Sequence, residues 1–242
     1  MITLYQIIAN GDAPPEALSL WREMPGAVKA RGRLPFDGRY PLLASFASLR
    51  GVMRHRPRVV LTWGAAASAS CPWIRPRWGE HPWIHVAYAP TYGPVGPYRH
   101  ADHLVTPTLD VAAWFVERGF DAETVHVIPA LPPPEPLEGV GPVVIDEKDD
   151  VSGDRVIAAW RAGRVVVSVS AVGPAALIAS EADGLLTPLG DKAALDAAIQ
   201  RVGSDKALVR RLIQGGKARY EADFCEEAVV RRWRDLIRKL QP

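Results

Sequence analysis

The chain returns again and again to short, uninterrupted apolar runs rich in β-branched residues. One set is Val59-Val60-Leu61-Thr62-Trp63-Gly64, Trp83-Ile84-His85-Val86-Ala87-Tyr88, His103-Leu104-Val105-Thr106 and Val125-His126-Val127-Ile128-Pro129. A second set is Pro142-Val143-Val144-Ile145-Asp146, Arg164-Val165-Val166-Val167-Ser168-Val169-Ser170 and Gly184-Leu185-Leu186-Thr187-Pro188. A strand that does not alternate apolar with polar is buried on both faces. Such strands belong to parallel sheets with helices packed on them, so the expected class is α/β. Ile2–Ile8 is expected as the first buried strand, ended by the Asn10-Gly11-Asp12 turn.

Helical signals lie between the runs. Pro14-Pro15-Glu16 opens a helix, since Pro is tolerated in the first turn and Glu favours the positive end. Leu42, Leu43, Phe46, Leu49 and Met53 recur at three-to-four spacing as an amphipathic helix that stops at Arg56-Pro57. Thr108 or Asp110 caps a helix whose stripe is Val111, Trp114 and Phe115 and whose stop is Gly119. Asp154 to Arg161 reads as a short helix. Three helices close the chain, the first capped by Asp191 and the second by Ser204. The third carries Trp233, Leu236 and Ile237 on one side and Arg231, Arg232, Arg234, Arg238 and Lys239 on the other.

Composition narrows the function. The 242 residues allow one large domain or two small ones. Lys and Arg number 29 against 27 Asp and Glu, a net charge of +2, too small for a protein held to nucleic acid by phosphate neutralisation. No apolar run approaches the ~20 residues of a membrane helix. The first ten residues lack a basic region and a small-residue cleavage site, so no signal peptide is expected. Cys71 and Cys225 are expected as reduced thiols, and no Cys/His cluster has zinc spacing, so no metal is expected. There is no Walker loop, no G-x-S-x-G and no G-x-G-x-x-G. Leu131-Pro132-Pro133-Pro134-Glu135-Pro136 is stiff and extended, and places a linker over 131–141 between a domain of 1–130 and a smaller one of 142–242.

Several segments resemble the retaining glycosyltransferases of family 4. Arg56-Pro57-Arg58-Val59-Val60-Leu61-Thr62-Trp63 is similar to that family's RPDVV-x-T-W strand. Ala101-Asp102-His103-Leu104-Val105-Thr106, running on through Phe115 to Gly119, is similar to its aD-hlv-x-x-T segment, and Val125-His126-Val127-Ile128-Pro129 to its V-h-v-I-P-N strand. Ala162-Gly163-Arg164-Val165-Val166-Val167-Ser168 resembles A-G-x-P-V-V-a-S. Gly173-Pro174-Ala175-Ala176-Leu177-Ile178 resembles G-x-x-E-l-I, and Gly184 to Asp191 resembles G-l-L-v-P-x-g-D. The resemblance implies the GT-B architecture, two Rossmann-like domains, with the final helix folding back on the first. Pro129 and Gly163 are only 34 positions apart. The family places the first half of its donor domain there, on the order of a hundred residues. The resemblance therefore implies a Rossmann-like first domain plus a reduced second lobe that lacks the family's phosphate-gripping Arg and Lys.

The resemblance further implies transfer of a sugar from a nucleotide-sugar donor to a saccharide or lipid-linked acceptor, with no cofactor. A non-catalytic relative acting as a binding or partner module is the alternative. The first carboxylate of the family's Glu-x7-Glu pair falls on Asp150 and the second on Ala158, which cannot hydrogen-bond a ribose. Asn10 and Gly11 lie at the carboxyl end of the first strand, where open α/β sheets bind ligands; the other reading is an ordinary turn. Ser152 and Gly153 either open a helix toward phosphate or belong to a solvated acidic loop, and Gly173-Pro174 either offers backbone N–H groups or is a plain turn. Tyr88, Tyr92 and Tyr98 are either sugar platforms on the acceptor side or packed loop aromatics. His85, inside an apolar strand, reads as a core histidine. The basic side of the last helix suits anionic lipid or plain solvent. The expected location is the cytoplasm, with peripheral contact at the inner membrane face left open.

Overall fold

Each of the apolar runs contains a strand in the computed structural model, which describes residues 4–8, 14–23, 31–33, 41–72, 83–131, 137, 139–147 and 153–240. Two compact units result. One comprises the residues up to Ile128 with those from Val230 on, the other Pro129–Val229. Most of the Pro-rich stretch, 132–136 and 138, lies outside the described residues.

The first unit runs β1 (Leu4–Ile8), α1 (Pro15–Glu23), β2 (Arg31–Arg33), α2 (Pro41–His55), β3 (Val59–Trp63), α3 (Gly64–Ala69), β4 (Ile84–Tyr88), β5 (His103–Thr106), α4 (Leu109–Val116) and β6 (Val125–Val127). The strands form one sheet in the order β2-β1-β3-β4-β5-β6, every neighbouring pair parallel. β1 and β3 are buried along their whole length, which is why their sequences do not alternate. β2, Arg31-Gly32-Arg33, was not foreseen; its residues have no strand propensity, and it forms as a short edge strand on the β1 ladder. Thr108 caps α4, its Oγ1 accepting from the Val111 N–H at 3.3 Å. The apolar stripe of α2 does not all face the core: Phe46 and Met53 are exposed, whereas Ser48 and Val52 are buried.

The second unit runs β7 (Val143–Ile145), α5 (Asp154–Arg161), β8 (Val166–Val169), α6 (Val172–Leu177), β9 (Leu185–Thr187), α7 (Lys192–Ser204) and α8 (Lys206–Arg219). A π-helical turn at Tyr220–Phe224 and α9 (Glu226–Lys239) follow, and from Val230 on α9 belongs to the first unit. The sheet is three parallel strands in the order β7-β8-β9. Trp160 of α5 is buried beneath it, its indole N–H donating to the Asp183 carbonyl at 2.8 Å. Asp191 caps α7 as expected, but Ser204 does not cap α8. Asp205 does, its Oδ1 accepting from the N–H groups of Ala207 and Leu208, both at 2.9 Å. Ser204 ends α7 instead, its hydroxyl bonded back to the Gln200 carbonyl at 3.0 Å, a habit of serine in the last turn.

Two features of this packing are open to test. Gly215 of α8 lies against the 182–183 loop; a Cβ there would meet the Ala182 carbonyl carbon at 2.9 Å and the Asp183 Cα at 3.3 Å. Alanine is the better helix former by about 1 kcal/mol, yet both neighbours are backbone and have little room to yield. Gly215→Ala is expected to destabilise the protein by about 1–3 kcal/mol in urea unfolding; a gain in stability would contradict this packing.

The second feature is a histidine pair on the first sheet. His103 Nδ1 and His126 Nε2 are 3.2 Å apart on adjacent strands. Burial holds both imidazoles below the ordinary histidine range. At His126 the neighbouring His103 and Lys239 add to this; at His103 Asp102 opposes it and Lys239 reinforces it. The unfolded chain therefore takes up protons near pH 6.5 while the folded one resists. Stability is full above that pH and is expected to fall as pH drops through it. His126→Gln should make the thermal midpoint less steep in pH below neutrality; an unchanged slope would count against the pair.

Candidate functional site

A parallel sheet brings all its carboxyl ends to one edge, and ligands of open α/β folds bind there. In the first unit this edge carries Trp63 at the end of β3 and Tyr88 at the end of β4, paired in register. Their rings lie 5.2 Å apart, and Trp233 of α9 packs on both, at 5.2 Å from Trp63 and 6.0 Å from Tyr88. The Trp63 indole donates to Gln6 Oε1 at 3.0 Å, which ties the cluster to β1. Trp233 is fully buried, and its Nε1–H finds no acceptor among the described residues. The chain leaves β3 through Gly64 at φ +83, a backbone conformation that suits glycine. Sequence reasoning treated Trp63 and Trp233 only as members of a strand and a helix stripe. The signal that could have joined them was a tryptophan at a strand end directly before a glycine.

The three sequence-predicted tyrosines fall in different surroundings. Tyr88 is buried in the tryptophan cluster. Tyr98 closes a single 3₁₀ turn, Gly96–Tyr98, with its ring edge-on to Phe115 at 5.4 Å; burial pushes its hydroxyl up to about 12, so it is neutral. Tyr92 is half-buried against Trp114 at 5.8 Å, and burial, with Asp110 adding to it, raises its hydroxyl too. Tyr92 and Tyr98 thus share one apolar cluster with Phe115 and Trp114, apart from Tyr88. His85 is buried, its Nε2 hydrogen-bonded to Thr62 Oγ1 at 2.9 Å, and Thr62 Oγ1 in turn to Ser68 Oγ at 2.8 Å. That is a satisfied core histidine.

In the second unit the structure brings two of the sequence-predicted residues together. Gly153, at φ +67, is the residue before α5, and Gly173 is in the first turn of α6. A Cβ on Gly153 would collide with Leu177 Cδ1 and lie 3.3 Å from the Gly173 carbonyl carbon and oxygen. Gly173 and Pro174 are both buried. Neither α5 nor α6 has a side-chain cap, since Gly153 and Ala171 stand at their N-cap positions, whereas α4, α7 and α8 are capped by Thr108, Asp191 and Asp205. Beside them, Ser170 Oγ donates to the Thr187 carbonyl at 3.1 Å. Arg155, in the first turn of α5, pairs with Glu147 and donates to the Val144 carbonyl. Ala158 is buried within α5. Asn10, Gly11, Asp150 and Ser152 lie outside the described residues. Among the described residues no group of three or more His, Cys, Asp or Glu side chains is placed to hold a metal ion.

No family model matches the chain. Over 94 residues, 39% of its length, it is 33% identical to the lipopolysaccharide core biosynthesis glycosyltransferase LpsD of Rhizobium meliloti (strain 1021), and it spans about a quarter (27%) of that protein. Among solved structures it is similar to a glycosyltransferase from Rickettsia africae ESF-5, with a TM-score of 0.72 at 8% identity over 99% of this chain and 98% of that one. It is also similar to the lipopolysaccharide outer core galactosyltransferase WaaB in its apo form, with a TM-score of 0.69 at 10% identity over 98% and 99%. Anabaena Alr3699/HepE in complex with UDP-glucose gives 0.65 at 11% identity over 99% and 100%. At these identities the likeness is one of fold: an α/β chain with parallel sheets, built as these glycosyltransferases are.

The contact between Gly153 and Gly173 makes a stability prediction with an internal control. Gly163 also has positive φ, +65, but nothing lies within 4 Å of a Cβ there. Gly163→Ala is expected to cost about 1 kcal/mol, the left-handed backbone penalty alone. Gly153→Ala should cost about 1–3 kcal/mol more, because Leu177 and the Gly173 backbone must also move. Equal losses for the two variants in chemical unfolding would show that the close approach is not tight.

Proposed function

We propose that this chain transfers a sugar from a nucleotide-sugar donor to a saccharide or lipid-linked acceptor, in the manner of the retaining family 4 enzymes. The observation that carries the reading is the 33% identity over 94 residues to a glycosyltransferase of lipopolysaccharide core biosynthesis. The shared fold supports it, as does the UDP-glucose complex of one structural neighbour.

In this reading the donor diphosphate rests at the carboxyl edge of the second sheet, against the backbone of Gly153 and Gly173. Glycine admits close approach there, and the positive ends of α5 and α6 favour an anion. Asn10 and Gly11, which follow β1 in sequence, are read as further donor contacts. Ser152 and Asp150, which precede α5 in sequence, are read as a polar donor contact and a catalytic carboxylate. Bond cleavage puts charge on the departing phosphate, and fixed N–H dipoles stabilise that charge without a metal or another cofactor. The acceptor lies on the first unit, where Tyr92 is partly open and packs in one apolar cluster with Tyr98, while Tyr88 belongs to the tryptophan cluster. A lipid-linked acceptor would bring a cytoplasmic chain to the inner membrane face.

One observation favours the alternative of a non-catalytic binding module. Arg155 is engaged by Glu147 and the Val144 carbonyl, so the diphosphate would depend on backbone groups. Calorimetric titration with UDP and GDP separates the two. Saturable binding of one nucleotide, with its release from the matching sugar nucleotide, is expected for transfer. No heat at millimolar nucleotide would overturn the transfer reading in favour of the binding module.

A further inference from the structure

The last two strands of the first sheet bring two imidazoles together nitrogen to nitrogen. His103 opens β5, and His126, the middle residue of β6, is paired with Val105. His103 stands two residues before Val105 and so shares its face of the sheet. His103 Nδ1 and His126 Nε2 are 3.2 Å apart, and both residues are half-buried. Two nitrogens held at roughly 2.0–2.1 Å by one tetrahedral ion stand about 3.3 Å apart, so this is the spacing of two ligands on a common ion. It is also the spacing of an N–H···N hydrogen bond. Among the described residues, however, neither ring's second nitrogen has a hydrogen-bond partner. Nothing in the protein therefore fixes a tautomer that keeps a hydrogen between the two facing atoms. Burial favours the neutral rings that a metal requires. Of the charges around the pair, Asp102 beside His103 suits a cation, and Lys239, exposed in the last turn of α9, opposes one.

We infer that His103 Nδ1 and His126 Nε2 together bind a divalent transition-metal ion of the zinc type, with water completing its coordination. Imidazole nitrogen selects zinc, nickel and copper over the oxygen-seeking magnesium and calcium. No third His, Cys, Asp or Glu among the described residues joins the pair, so the ion is exchangeable rather than caged. Its effect is to clip β6 to β5. β6 is the outer strand of its sheet, three residues long and fully buried at none of them, and has the most to gain. The histidines are 23 positions apart, so no sequence spacing announces the site. The inference stands apart from the transfer reading: it needs no sugar nucleotide, and His103 is at the amino end of its strand, away from the carboxyl edge.

Calorimetric titration of the EDTA-treated full chain with zinc chloride at neutral pH tests it. Saturable uptake of one equivalent is expected. It should raise the thermal midpoint, and EDTA should reverse the rise; magnesium chloride should have no effect. His103→Gln and His126→Gln should each weaken zinc binding about tenfold or more, with circular dichroism showing that both variants fold. Lys239→Gln, which changes only an exposed side chain, should tighten binding about threefold by removing a like charge. His100→Gln, at another exposed histidine, should bind as wild type does. In long-range proton–nitrogen spectra zinc should move the His103 Nδ1 and His126 Nε2 signals and leave hydrogens on the two opposite nitrogens. No zinc uptake by the folded wild-type chain would overturn the inference in favour of a plain hydrogen bond between the rings. Uptake that survives both histidine substitutions, or that His100→Gln or Cys225→Ser abolishes, would overturn it in favour of another site.

Discussion

Parallelism is the constraint from which the rest follows. Every ladder in both sheets joins strands that run the same way, so each sheet has one edge made only of carboxyl ends. Both faces must be covered by the connecting helices, which removes the alternation of polar and apolar residues from the strands and leaves runs such as Val165-Val166-Val167. Each strand must then hand the chain to a helix at that same edge. Backbone turns and helix N-termini gather there for topological reasons before any ligand is considered.

What stands at those turns differs from place to place. Thr108, Asp191 and Asp205 cap α4, α7 and α8 with their side chains, although α4 and α7 also leave a carboxyl edge, after β5 and β9. Where a helix leaves the carboxyl edge after β3, β7 or β8, the N-cap residue is Trp63, Gly153 or Ala171, none of which caps with its side chain. Side-chain caps stabilise a helix by about 1 kcal/mol, so three omissions carry a real cost. At Gly153 and Ala171 they leave little but backbone at the turn, whereas Trp63 keeps a large side chain in the aromatic cluster. The tryptophan cluster at the other sheet is the counterpart: Trp63, Tyr88 and Trp233 form a rigid apolar wall, fixed to β1 through Gln6.

The strands were legible in the sequence because burial on two faces writes itself directly into composition. Gly153 and Gly173 were legible as separate turns, but not as neighbours, since their approach depends on how α5 and α6 pack. The orientation of α2 was not legible. Periodicity reports that apolar residues share a face; it does not report whether that face meets the core, and here Val52 and Ser48 take the inner side. The α8 cap was missed because Ser204 and Asp205 are adjacent and both are good cap residues. The carboxylate wins by accepting two N–H groups where the serine hydroxyl returns to its own helix. β2 was invisible because Arg31-Gly32-Arg33 has no apolar run for a sequence pattern to show. For the tyrosines, sequence gave the residue type and the loop; only packing separates the enclosed Tyr98 from the half-open Tyr92.

Net charge misleads in the same way as periodicity. A total of +2 argues against a nucleic-acid protein when the charges are mixed. Here they are not mixed. In sequence, residues 38–79 hold seven arginines and no Asp or Glu, while the 146–154 stretch carries five acids and one lysine together with Arg155 just beyond it. Screening confines each field to about 8–10 Å at physiological salt. The total says that the chain is nearly neutral; the distribution says that α2 is not, and it is the distribution that a nearby charge feels.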